Sequence, residues 1–132
     1  MKIRSLFFVL SMILAMVTAS CVHESNVAPE GTIYGSWVRL ITDSKKLQFN
    51  AELKIKTDNT FDFILLKKAP GHTNSSGEMT LKGNVLTIIH DADCGVDGVY
   101  EFVVSEKKLA FVAVADECTP RRLAMQGVWS RK

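Results

Sequence analysis

The sequence predicts an all-β domain: a single antiparallel up-and-down β-barrel of about eight strands. Three observations predict it. Stretches of polar/apolar alternation follow one another from Gly35 to Ser130, and alternation is the period of a half-buried strand. Most are joined by turns of two to six residues rich in Asp, Asn or Gly, the chemistry of hairpins. No amphipathic helix of any length separates them. Closing such a meander on itself removes its exposed edges. A β-sandwich is the alternative.

The first 20 residues stand outside that domain. Lys2 and Arg4 precede an apolar run from Leu6 to Val17 interrupted only by Ser11, and Ala19-Ser20-Cys21 follow. This is the layout of a secretory signal peptide, and the run is shorter than the ~20 residues that span a bilayer. Small residues directly before a cysteine resemble the bacterial lipobox, with Thr18 where that pattern prefers Leu. The resemblance implies cleavage before Cys21, a lipid anchor on Cys21 and a place in the cell envelope. Val22, where an inner-membrane retention signal would have Asp, resembles an outer-membrane address in Gram-negative sorting. The expected organisation is a signal peptide over 1–20, a tether over 21–31 and a barrel domain over 32–132. The tether carries His, Glu, Ser, Asn, Pro and Gly with little apolar content, the composition of a flexible linker.

Lys2 and Arg4 account for the formal net charge of +2, so the remaining chain balances 14 basic against 14 acidic residues. A neutral chain without a Lys/Arg stripe has no electrostatic footprint for nucleic acid.

The elements follow in order. Gly35 to Ile41 reads as the first strand. Ala51 to Thr57 alternates strictly, with Ala51, Leu53 and Ile55 inward and Glu52, Lys54 and Lys56 toward water. Asp58-Asn59 turns the chain into Thr60 to Leu66, with Phe61, Phe63 and Leu65 on one face. Lys67 to Ser76 is a long loop containing Pro70, Gly71, His72 and Asn74. Gly77 to Lys82 and Val85 to His90 form a hairpin around Gly83-Asn84. Asp91 to Asp97 is a polar connection. Gly98 to Ser105 and Leu109 to Ala115 form the next hairpin. Thr119 to Met125 is the one stretch suited to a helical turn, with Pro120 in its first turn where proline is tolerated. Gly127 to Ser130 is the last strand.

Three cysteines divide into a lipid anchor, Cys21, and a pair, Cys94 and Cys118. Export places the pair in an oxidising compartment where a disulfide persists. On the chain-entropy model a loop of this length is stabilised by roughly 3 kcal/mol.

Gly35-Ser36-Trp37 resembles the G-x-W signature of the lipocalins and their calycin relatives. The C-terminal half resembles small exported lipocalin-like proteins through Cys94, Gly98-Val-Tyr100, Asp116-Glu-Cys118-Thr-Pro-Arg121 and Trp129. The resemblance spans residues 31–132. It implies a barrel whose floor is closed by Trp37, with Arg121 packed across it and Trp129 nearby, a cation–π arrangement. The chain is shorter than a typical lipocalin, and the long C-terminal helix of that family is missing.

Candidate interior positions are Leu53, Ile55, Phe61, Phe63, Met79, Leu81, Tyr100, Phe102, Phe111 and Ala113. A barrel of eight strands is either filled by its own side chains or holds one small ligand. For a ligand-binding barrel the expected wall is Phe63, Tyr100, Phe102 and Phe111, with the 67–76 loop at the rim. A filled barrel acts instead on a protein partner, for instance as a hydrolase inhibitor, through its surface loops. No nucleophile–base pair marks an enzyme and no cofactor motif is present. Asp91, Asp93 and Asp97 have an acidic-loop spacing, but Val96 and Phe102 stand where a calcium loop needs Gly and Glu. They read as turn carboxylates, and no metal site is expected.

Overall fold

The computed structural model describes residues 31–132 except Ala92. The expected signal peptide, the Cys21 anchor and residues 22–30 of the tether lie outside the described residues.

Eight strands close into one barrel, β1 through β8 in sequence order. They are β1 (Gly35–Thr42), β2 (Gln48–Ile55), β3 (Thr60–Leu65), β4 (Ser75–Lys82), β5 (Val85–Ile88), β6 (Gly98–Val104), β7 (Lys108–Ala115) and β8 (Gly127–Arg131). Helix α1 (Thr119–Met125) joins β7 to β8, with proline in its first turn. Neighbours are antiparallel throughout, and β8 returns to β1 through Trp37↔Arg131 and Val38↔Ser130. The up-and-down barrel is therefore the observed fold.

Local chemistry sets the boundaries. At the β2–β3 turn the Asp58 carboxylate accepts from the Thr60 amide and hydroxyl, and Asn59 takes a left-handed φ of 62°. Strand β2 begins three residues before the alternating stretch, because Gln48↔Thr42 and Phe49↔Ile41 continue the ladder to β1. Strand β4 likewise begins at Ser75, opposite Phe63. Strand β5 stops at Ile88 rather than His90, since the His90 amide leaves the ladder and donates to Asp97 Oδ1 at 2.7 Å.

The core is the barrel interior. Trp37, Trp129, Tyr100 and Phe111 are its largest fully buried side chains, each favourable by about 2–3 kcal/mol through removal from water. Of the expected interior, Leu53, Ile55, Phe61, Met79, Tyr100, Phe102 and Phe111 are buried, whereas Phe63, Leu81 and Ala113 are half-buried against them. Glu52 departs from the alternation. Expected on the water face, it is buried, because the C-terminal Lys132 folds over it with Nζ 2.6 Å from Oε2. That bond is the main reason its carboxyl lies below the ordinary range, against the opposing effect of burial.

Candidate functional site

Strict up-and-down topology sorts the connections. The 43–47, 66–74 and 89–97 loops and the α1 connection gather at one end. The tight turns at 56–59, 83–84 and 105–107 gather at the other. The loop end holds a cavity of about 740 Å³. Its apolar wall comes from Ile41 of β1, Phe49 of β2, Phe61 and Phe63 of β3, Ile88 of β5 and Met125 of α1. The cavity thus lies at the loop end, on top of the packed core to which Ile41, Phe49, Phe61, Ile88 and Met125 also belong.

Only one of the four expected wall residues, Phe63, lines the cavity; Tyr100, Phe102 and Phe111 do not. They pack on one another instead, with ring centroids 6.2 Å apart for Tyr100–Phe111 and 6.3 Å for Phe102–Phe111, both edge-to-face. Edge-to-face pairing is favourable for aromatic rings, so β6 and β7 fill their side of the lumen themselves. Phe63 meets that filling edge-on at Trp129, 6.5 Å away, and marks where filling ends and cavity begins.

The 67–76 loop reaches the rim as expected, through Pro70 to Thr73 and Ser75. It is tied down there. His72 Nε2 lies 3.0 Å from Asp43 Oδ2 across the mouth, and the His72 ring lies against Phe49, tilted by 36° with centroids 4.3 Å apart. Asn74 Oδ1 accepts from the Leu65 amide at 2.8 Å. Asp43 Oδ1 accepts from the Lys45 and Leu47 amides, both at 2.8 Å. The bond from His72 holds the Asp43 carboxyl below its ordinary range, with partial burial opposing and the two amides reinforcing.

A buried polar cluster borders the same cavity. The motif residues that sequence reading set side by side meet in it. Arg121 donates from Nε to Asp116 Oδ2 at 2.8 Å and from Nη2 to Asp116 Oδ1 at 2.9 Å. The Tyr100 hydroxyl donates to Asp116 Oδ2. Gly98 supplies the space: a Cβ there would stand 2.7 Å from Asp116 Oδ2 and 2.9 Å from Arg121 Nε. Cys94 and Cys118 lie at disulfide distance, Cα atoms 5.7 Å apart, and join the 89–97 loop to the start of α1. Burial alone would raise the Asp116 carboxyl; the bonds from Arg121 and Tyr100 outweigh it and leave the group below its ordinary value. Burial, then the bond to Asp116, pushes the Tyr100 phenol well above the normal tyrosine range, so it stays a donor.

The floor differs from the arrangement that the resemblance implies. Arg121 sits on α1 at the loop end and is held by Asp116, far along the barrel from Trp37. Arg131 takes the expected place, its guanidinium carbon 3.9 Å from the Trp37 ring centroid. The cause is register, since Trp37 and Arg131 are direct partners across β1 and β8. Trp129 is paired with a different arginine, Arg39, at 5.9 Å, and its indole donates to Met125 O at 3.0 Å. Arg122 binds the same residue through its backbone, donating from Nη1 to Asp116 O at 2.9 Å.

Asp91 and Asp97 act as turn carboxylates: Asp91 Oδ1 accepts from the Asp93 and Cys94 amides. No family model, curated protein or solved structure gives a significant match to the chain.

Proposed function

We propose that this chain is an exported, lipid-anchored binding protein that holds a small apolar ligand in the loop-end half of its barrel. One observation carries the reading: a cavity of about 740 Å³ walled by Ile41, Phe49, Phe61, Phe63, Ile88 and Met125. Its size falls within the roughly 300–1,000 Å³ of small-molecule sites, and an apolar wall with a few convergent polar groups is their usual composition. The resemblance of the 31–132 region to small lipocalin-like proteins supports the same role. The test is an apolar fluorescent probe titrated into the purified protein. Emission should rise and saturate at one probe per chain, and a flat titration overturns the binding role. The anchor rests on Ala19-Ser20-Cys21. Cys21→Ser should move the protein out of the outer-membrane fraction; unchanged fractionation overturns it.

A second reading concerns the outer surface. Val103, Ala110 and Val128 are cross-strand partners in one row over β6, β7 and β8. Val103 is 75% exposed and Val128 57%, with Val112 at 60% beside them. An apolar row of this kind suits a protein partner. Val103→Lys with Val128→Lys should abolish capture of such a partner and leave probe binding intact. If capture survives the double substitution, that row is not the contact.

A further inference from the structure

Five of the eight large apolar side chains exposed among the described residues stand on one outer face: Leu40 on β1, Val128 on β8, Val112 and Val114 on β7, and Val103 on β6. These four strands are neighbours in the barrel, so the clustering makes a face rather than a scatter. At its centre is the Val103–Ala110–Val128 row. Two charges flank that row on opposite sides. Glu101 precedes Val103 on β6 and lies opposite Val112, toward the loop end. Lys108 precedes Ala110 on β7 and lies opposite Ser130, toward the tight turns. Both are exposed. Among the described residues neither is in an ion pair, and Lys108 Nζ donates to the Ser130 hydroxyl at 2.7 Å. The turn beyond Lys108 adds one charge of each sign, Glu106 and Lys107.

We propose that this face binds a second copy of the chain, the two barrels meeting face to face about a two-fold axis that runs along the row. This rests on the second reading above and names the partner. Such an axis lays each row on its own copy and exchanges the two sides of it. Glu101 of one copy then comes over the tight-turn side of the other, one strand or about 5 Å to the side of its Lys108, a gap that the long lysine stem bridges. The symmetry repeats the pair, Glu101 to Lys108 and Lys108 to Glu101. A two-fold along the strands keeps each charge on its own side of the row and gives neither an opposite. An apolar centre rimmed by charges that pair across the contact is the anatomy of a specific interface. Sinking the same face into a bilayer would bury both charges unpaired, which is costly. Two convex faces touch over little more than these residues, so the contact stands at the small end of specific interfaces, about 1,200 Å² in total, and forms and dissociates readily.

The test is a zero-length carbodiimide applied to cell envelopes that hold the full chain. It joins a carboxylate to an amine in direct contact and so traps a short-lived pairing. A dimer is expected on a denaturing gel, its link running from Glu101 of one copy to Lys108 of the other. Glu101→Lys alone and Lys108→Glu alone each set like charges together twice across the axis, and each should lower the dimer yield at least about tenfold. The two together exchange the charges and should restore the yield to within about threefold. Val103→Lys with Val128→Lys leaves both reacting groups in place and should also lower the yield about tenfold. All four side chains are exposed, so these substitutions leave the fold intact. No dimer of the unaltered chain overturns the second copy as the partner and leaves the row to a different protein or to lipid. A dimer linked elsewhere, or one that the charge exchange does not restore, overturns the two-fold pairing while the second reading stands. A dimer undiminished by the valine substitutions overturns the row as the contact, and the second reading with it.

Discussion

Arg131 lies over the Trp37 ring, its guanidinium carbon 3.9 Å from the centroid. The same guanidinium donates to three backbone carbonyls: Glu106 O at 2.8 Å, Tyr34 O at 3.0 Å and Thr32 O at 2.7 Å. One side chain therefore joins the segment before β1, the β6–β7 turn and the tryptophan at the barrel floor. Trp37 is fully buried and its indole donates to Ile33 O at 2.7 Å, so both residues of this closure are hydrogen-bonded to backbone carbonyls.

Arg131→Lys should not rescue that closure. A lysine keeps the charge but has neither the planar stacking surface nor the forked donors. We expect Arg131→Ala and Arg131→Lys each to cost about 2 kcal/mol of stability, read from urea unfolding midpoints. Arg121→Lys should act at the other end, and its cost should add to that of Arg131→Lys. A lysine variant at 131 as stable as the native chain would show that the stacked fork does not hold the floor.

Gly98→Ala tests the polar cluster by steric means. Its new methyl would fall 2.7 Å from Asp116 Oδ2 and 2.9 Å from Arg121 Nη2. The atoms it meets belong to a bidentate ion pair that cannot retreat, so overpacking should cost about 1–3 kcal/mol. Gly95→Ala is the control, because nothing lies within 4 Å of a Cβ there. Equal unfolding midpoints for the two variants would mean that the ion pair is not fixed in place.

Much of the fold was legible because its signals are local. Alternation in 51–57 and 77–82, the Asp58-Asn59 and Gly83-Asn84 turns and Pro120 each act over a few residues, and every expected strand is present, with the ends of β2, β4 and β5 shifted by two or three residues. The buried Glu52 was not legible, since its cover is Lys132, 80 residues away in the chain. The site divides in the same way. Phe63 lines the cavity, as alternation on β3 allows. That Tyr100, Phe102 and Phe111 fill the lumen depends on how rings from β6 and β7 tilt toward one another, which periodicity does not encode. The Asp43–His72 tie joins two loops 29 residues apart, and nothing in either loop announces the other. Arg121 was assigned to the floor on the resemblance alone; strand register gave that place to Arg131.

Acid should loosen the cavity mouth through Asp43. Its carboxyl is held below its ordinary 3.8, chiefly by the bond from His72. A carboxyl depressed in the folded state adds stability that is present above its unfolded value and is lost as pH falls through the folded one. The tie between the 43–47 and 66–74 loops is thus complete above about pH 5 and weakens below about pH 4. Asp43→Asn should flatten the stability–pH curve over that acid range. It should also speed amide exchange at Leu47, whose N–H the carboxylate accepts. A variant curve parallel to the native one across that range would remove Asp43 from the account.

The border of the loop-end cavity separates two phenylalanines of one chemical type. Phe111 is 1% exposed and packs between Tyr100 and Phe102. Phe111→Ala leaves a hole inside a packed cluster and should cost about 3–5 kcal/mol. Phe63 is half-buried and faces the cavity, so less area is at stake and Phe63→Ala should cost about 2 kcal/mol. Probe binding should order the two the other way. Phe63→Ala removes wall and should weaken an apolar probe about tenfold, or by about 1.4 kcal/mol, whereas Phe111→Ala should leave its affinity unchanged wherever the variant is folded. Both quantities are measured on the same samples, unfolding midpoints by urea and affinity by probe titration below the unfolding range. If Phe111→Ala weakens the probe as much as Phe63→Ala does, the ligand reaches into the aromatic half and the division drawn at Phe63 is wrong.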